Sequence, residues 1–128
     1  MQASRFVEPT RALARMGENA VRYAELNHTL PDSAPLTPAQ PPRGCKEIDP
    51  LGTWDGPTWV ALDFRPTPEG VPRAYAYAFD SSGDTFVTRA HGDLDGDGVL
   101  STFEMRGSAK AGEAPRLEPG LYVEAELE

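Results

Sequence analysis

Between Leu30 and Pro42 the chain carries five prolines, in the run "HTLPDSAPLTPAQPPRG". Proline has no backbone N–H and a fixed φ, so this run suits neither a regular helix nor an inner strand. It is expected to be an extended loop, over about residues 28–50, that crosses the surface. It also divides two kinds of hydrophobic periodicity. Before it, "EPTRALARMGENAVRYAELN" repeats at three and four: Leu13, Met16, Ala20, Tyr23 or Ala24, and Asn27 form one stripe. That spacing predicts an amphipathic helix over about residues 4–27, with Pro9 tolerated in its first turn. Arg11, Arg15, Glu18, Arg22 and Glu25 occupy the other faces, and Glu18 and Arg22 stand at the favourable i, i+4 spacing. A helix of that length would measure about 36 Å, long for so small a domain.

After the proline run the period changes to two. "RAYAYAFD" alternates Ala74, Ala76 and Ala78 with Tyr75, Tyr77 and Phe79, which predicts a strand over 73–80 with one small and one aromatic face. "SSGD" turns it into a second strand over 84–91, and "STFEMRG" predicts a third over 100–106. "LYVEAELE" predicts a fourth over 120–127, at an edge, where its glutamates deter pairing between molecules. In between, "CKEIDPLGTWDGPTWVALDF" leaves a short helix and a strand in competition over 57–64. The helix is favoured because Pro57 sits where a first turn accepts it. Trp54 and Trp59 are read as core anchors. The fold class expected is therefore α+β: one domain over residues 1–128, with a long N-terminal helix packed on a small antiparallel meander of three or four strands.

The segment that carries chemistry is "HGDLDGDGVLSTFE", His91 to Glu104. Counting from Asp93, Asp95 and Asp97 fall at positions three and five, Gly98 at six, Val99 at seven and Glu104 at twelve. An EF-hand loop uses carboxylates at one, three and five, a glycine at six, a backbone carbonyl at seven and a bidentate carboxylate at twelve. Asp93, Asp95, Asp97, Val99 and Glu104 are thus the candidate calcium ligands. The flanks are strand-like where an EF-hand has helices, so Glu104 is expected to point away if the chain stays extended, with water in its place. The alternative is an empty acidic turn, with aspartate side chains bonded to backbone N–H groups and Gly96 and Gly98 at positive φ. A calcium ion here would act as a structural clip.

Charge excludes one class of partner. Residues 1–50 carry six basic and six acidic side chains and residues 51–128 carry six and fourteen, so the net charge of −8 lies entirely in the second part. Nucleic acid, which needs a basic footprint, is not expected. Cys45 is the one cysteine, so no disulfide forms within the chain. His28, at a helix end, and His91, beside the acidic loop, are read as surface histidines with no nucleophile at catalytic spacing, and no enzyme activity is expected.

In layout, and in the wording of "CKEIDPLGTWDGPTWVALDF", "AYAYAFDSSGDTFVTRAHGDLDGDGVLSTFE" and "LYVEAELE", nearly the whole chain resembles the type IV pilin and type II secretion pseudopilin family. It is most similar to the pilin-like proteins of deltaproteobacteria and myxobacteria. The resemblance implies a filament subunit at the cell surface or in the periplasm, whose partners are other subunits and, before assembly, the inner membrane. Some pseudopilins hold calcium in a loop of the sheet region, which the acidic loop matches. The family's processing signature, a glycine followed by Phe, apolar residues and a Glu, is missing, as is its membrane segment. The chain is accordingly read as a soluble domain, monomeric in isolation, with Met1 an added start. A free-standing EF-hand-like calcium module is the competing function.

Overall fold

A computed structural model describes residues 7–68, 70–93, 96–98 and 100–124. The fold is α+β: one N-terminal helix and a six-stranded antiparallel sheet, with one short additional helix. The elements are α1 (Val7–Asn27), β1 (Ala34–Thr37), α2 (Pro57–Ala61), β2 (Tyr75–Ser82), β3 (Thr85–Gly92), β4 (Ser101–Ser108), β5 (Arg116–Leu117) and β6 (Tyr122–Glu124). The order across the sheet is β1-β2-β3-β4-β5, and β6 also pairs with β4.

The helix follows the stripe of its sequence. Pro9, Ala12, Leu13, Met16, Ala20 and Ala24 are buried and the helix lies against β3, β4 and β5. Residues 4–6, where the helix is expected to begin, lie outside the described residues. Glu8, in the first turn, reaches the sheet: its carboxylate accepts from the Ala74 N–H at 2.9 Å and the Tyr77 hydroxyl at 2.7 Å. Burial and the neighbouring Glu8 carboxylate push the Tyr77 phenol well above its ordinary value.

Strands β2, β3 and β4 form the regular centre of the sheet. The register pairs Tyr75 with Gly92, Tyr77 with Ala90 and Phe79 with Thr88, and then Ala90 with Phe103 and Phe86 with Gly107. Aromatic side chains therefore alternate with small ones across the strands on the helix-facing side. A Cβ added to Gly92 would collide with the Tyr75 ring, and one added to Gly107 with the Phe86 ring. The two glycines are the space into which those rings fit, since a close-packed core leaves no slack for an extra carbon. Both faces of β2 are buried from Tyr75 to Phe79, so the small alanine face is covered too.

Two strands depart from expectation. The first, β1, falls inside the proline-rich run, where the sequence predicts loop throughout. It is an edge strand, paired among the described residues only with β2, through a register irregularity between Ala34 and Thr37. An edge strand needs only one row of backbone donors, which is why Pro35 is tolerated there. The second, β5, is two residues long and pairs Gly107 with Leu117. No two-residue bridge carries a periodic signal. The sheet thus has more strands than the expected three or four. The fourth expected strand is present as β6 at Tyr122–Glu124, and residues 125–128 lie outside the described residues.

A second layer of core lies under the segment between the proline run and β2. Trp54 and Trp59 meet edge to face at 5.0 Å, and both pack on Phe64, at 5.9 and 5.6 Å. Phe64 in turn touches Tyr77 of β2 at 5.7 Å and carries the Arg15 guanidinium over its ring, 5.1 Å from the centroid. The polar ends of the tryptophans are satisfied: Trp54 donates to Asp49 at 2.8 Å and Trp59 to Thr37 at 3.2 Å. This aromatic group ties the irregular segment to both helix and sheet.

Candidate metal centre

The acidic loop joins β3 to β4, two adjacent antiparallel strands. A helix-loop-helix arrangement of the EF-hand kind is therefore not what surrounds it. Asp93 comes directly after β3 and is pinned there through its backbone: its carbonyl accepts from Gly44 N–H at 2.7 Å and from Gly96 N–H at 3.2 Å. The first of these belongs to an isolated parallel bridge between Arg43 and Asp93. The proline-rich strap thus ends alongside the start of the acidic loop. Gly96 at φ 75° and Gly98 at φ 87° hold the loop in its turn, in a backbone region that L side chains rarely adopt.

The Asp93 side chain is 1% exposed. Its Oδ2 accepts from Gly98 N–H at 3.0 Å and stands 3.6 Å from Arg43 Nε. Its Oδ1 is buried with no hydrogen-bond partner among the described residues. A buried carboxylate oxygen left in that state carries a substantial desolvation cost unless a cation or a donor meets it. Asp93 also lines a cleft of about 330 Å³ between strap and loop, together with Leu36, Gln40, Arg43, Gly98 and Leu100. Asp97 is exposed on the turn. Asp95 and Val99 lie outside the described residues. Among the described residues, no three His, Cys, Asp or Glu side chains form a metal-ligating group.

Glu104, position twelve of the loop, stands along the strand from Asp93. It lies within β4, opposite Arg89 of β3, while Ser101 already pairs with Gly92 beside Asp93. Three residues of strand, at about 3.3 Å each, separate Glu104 from that end of the ladder. Its carboxylate is occupied: it accepts from Arg89 Nε at 2.7 Å, with Arg106 at 3.5 Å. Arg89 in addition pairs with Asp80. Burial acts to raise the Glu104 pKa, but the hydrogen bond and charge of Arg89, helped by Arg106, outweigh it and hold the carboxyl below its ordinary range. In an EF-hand the helix after the loop swings residue twelve back to the ion. A strand carries it away.

The remaining polar candidates occupy separate places. His91, in β3, meets the Thr102 hydroxyl through Nδ1 at 3.1 Å, and burial draws its pKa below the usual value, partly offset by a backbone hydrogen bond with Ser101. His28 caps α1 in a left-handed conformation, φ 59°, its N–H donating to Ala24 at 2.8 Å. It lines a cleft at the other end of β3, with Asp84 and Lys110. Cys45 is exposed. The residue that sequence reasoning missed is Arg43. Nothing in its surroundings along the chain marks this arginine as a neighbour of the distant acidic loop.

Comparison with known proteins adds no family: no family model matches the chain, and no curated protein or solved structure matches it either.

Proposed function

We propose that the chain is the folded domain of a pilin- or pseudopilin-type filament subunit, without catalytic activity, whose acidic loop is clipped by calcium. What supports the subunit reading is the packing of a 21-residue helix across one face of an antiparallel sheet, with the strap running from the helix end to the start of the acidic loop. In such a subunit the helix continues towards an apolar segment that sits in the inner membrane before assembly. The sheet is then displayed to neighbouring subunits, at the cell surface or in the periplasm. None of the helices among the described residues is long and apolar enough to cross a membrane.

The buried, half-satisfied carboxylate of Asp93 carries the calcium reading. By their spacing in the sequence, Asp97 and, outside the described residues, Asp95 and the carbonyl of Val99 are the further hard oxygen donors that calcium would need beside it, with water completing the shell where an EF-hand would use position twelve. A structural site of this kind binds at about 10⁻⁴–10⁻³ M, and calcium at ten times its dissociation constant adds about 1.4 kcal/mol to stability. That suffices to hold one hairpin.

Two measurements test the reading. Calcium is expected to raise the melting temperature of the isolated domain while far-ultraviolet dichroism keeps the signature of one helix plus sheet. The translated gene is expected to encode a processing site and an apolar segment ahead of Gln2. A gene with neither would remove the filament assignment. Calcium-induced gain of helix would favour the free-standing EF-hand-like module.

A further inference from the structure

We propose that Arg43 is a tethered counter-ion of the acidic loop, occupying the flank of Asp93 in the cation-free chain and competing with a divalent cation for it. The proposal rests on the calcium reading above and names how that site is regulated. Three observations place Arg43 there. Its Nε stands 3.6 Å from Asp93 Oδ2, its guanidinium donates to the Gly96 carbonyl at 3.3 Å, and the backbone bridge between residues 43 and 93 fixes the root of the side chain. The carbonyl of Gly96 and the carboxylate of Asp93 belong to the same turn, so a single guanidinium spans the loop from outside, as an ion would from within.

The asymmetry of the pair gives the site its direction. Asp93 is 1% exposed and cannot leave, while Arg43 is 67% exposed and can swing into solvent at little cost. A cation entering the turn meets a fixed carboxylate and a movable positive charge. Repulsion between the two cations then drives the arginine outward, while the Gly44 to Asp93 backbone bond keeps the strap in register. The arginine side chain lines the cleft between strap and loop, so its release also opens that cleft. Cation binding is thereby weakened by Arg43, and the strap is held to the loop by one positive charge or the other.

The experiment is calcium titration by calorimetry of the unaltered domain and of Arg43→Gln, Arg43→Lys and Arg22→Gln, each at low and at high salt. Arg22→Gln removes the same charge from α1, far along the chain from the loop. Arg43→Gln is expected to tighten calcium binding about fivefold to tenfold at low salt, as removal of a unit charge a few ångström from a divalent ion requires. The gain shrinks at high salt. Arg43→Lys stays within about twofold of the unaltered chain, Arg22→Gln leaves binding unchanged, and in chelator Arg43→Gln melts lower than the unaltered chain. Equal affinity in all four proteins, or weaker binding by Arg43→Gln, overturns the counter-ion role and leaves the calcium site standing. Absence of binding in all four at millimolar calcium overturns both.

Discussion

Arg73 and Asp49 form a two-pronged ion pair with side-chain exposures of 2% and 8%. Arg73 Nε donates to both carboxylate oxygens, at 2.9 and 2.8 Å, and the guanidinium also donates to the Tyr75 carbonyl at 3.1 Å. Trp54 adds a third donor to the same carboxylate. The segment before α2 is thereby bolted to the start of β2, reinforced by paired backbone bonds between Glu47 and Arg73.

Removing one partner of this pair strands the other. Asp49→Ala is expected to cost about 3 kcal/mol, because the guanidinium keeps its burial and loses its anion. The double replacement Asp49→Leu with Arg73→Met is expected to cost less than Asp49→Ala alone. Urea denaturation of the three proteins measures both.

Acid should weaken the fold through two carboxylates. Burial acts to raise the Asp49 pKa, but the hydrogen bonds from Arg73 and Trp54 and the charge of Arg73 outweigh it and leave it below its usual value, as happens at Glu104 with Arg89. Each folded pKa thus lies below the unfolded one. The stability they contribute is fully present above the unfolded carboxylate range, near pH 4, and is lost as pH falls through the folded values. Melting temperature is expected to decline on the acid side of about pH 4 to 5, and Glu104→Gln is expected to make that decline shallower.

Gly107 has no room for a side chain. A Cβ there would strike the Phe86 ring and come within 2.8 Å of the Arg116 carbonyl on β5. Gly107→Ala is expected to destabilise by about 1–3 kcal/mol through overpacking. Adding Phe86→Leu to it should recover part of the loss, which thermal melts of the single and double variants will show.

Position twelve of the acidic loop should be dispensable for calcium. Glu104 is held by Arg89 and Arg106 within β4, so Glu104→Gln is expected to leave calcium affinity within about twofold. Asp93→Asn, which keeps the shape and removes the charge, is expected to weaken it tenfold or more. A large loss from Glu104→Gln would mean that the hairpin rearranges around the ion.

The acidic loop shows where local pattern stops being informative. The spacing of Asp93, Asp95 and Asp97 with Gly98 is a property of neighbours along the chain, and it marked the turn correctly. The role of Glu104 depends on the element into which the turn leads. The strand-like flanks carried the hint that it points away, but its actual partner, Arg89, is set by the register of β3 on β4. In the same way Pro35 reads as loop, and only pairing with the outer side of β2 makes Ala34–Thr37 an edge strand.

Helix α1, the central strands and the buried tryptophans were legible because each shows in the type and spacing of side chains within one short segment. Hydrophobic burial acts on such patterns whatever lies beyond them. That β1 and β5 flank the meander of β2, β3 and β4, that Gly92 and Gly107 are seats for aromatic rings, and that Arg43 stands beside Asp93 were decided by tertiary structure alone. Those relationships join residues that are far apart in the chain, and a contact of that kind leaves no periodic trace in the segments it connects.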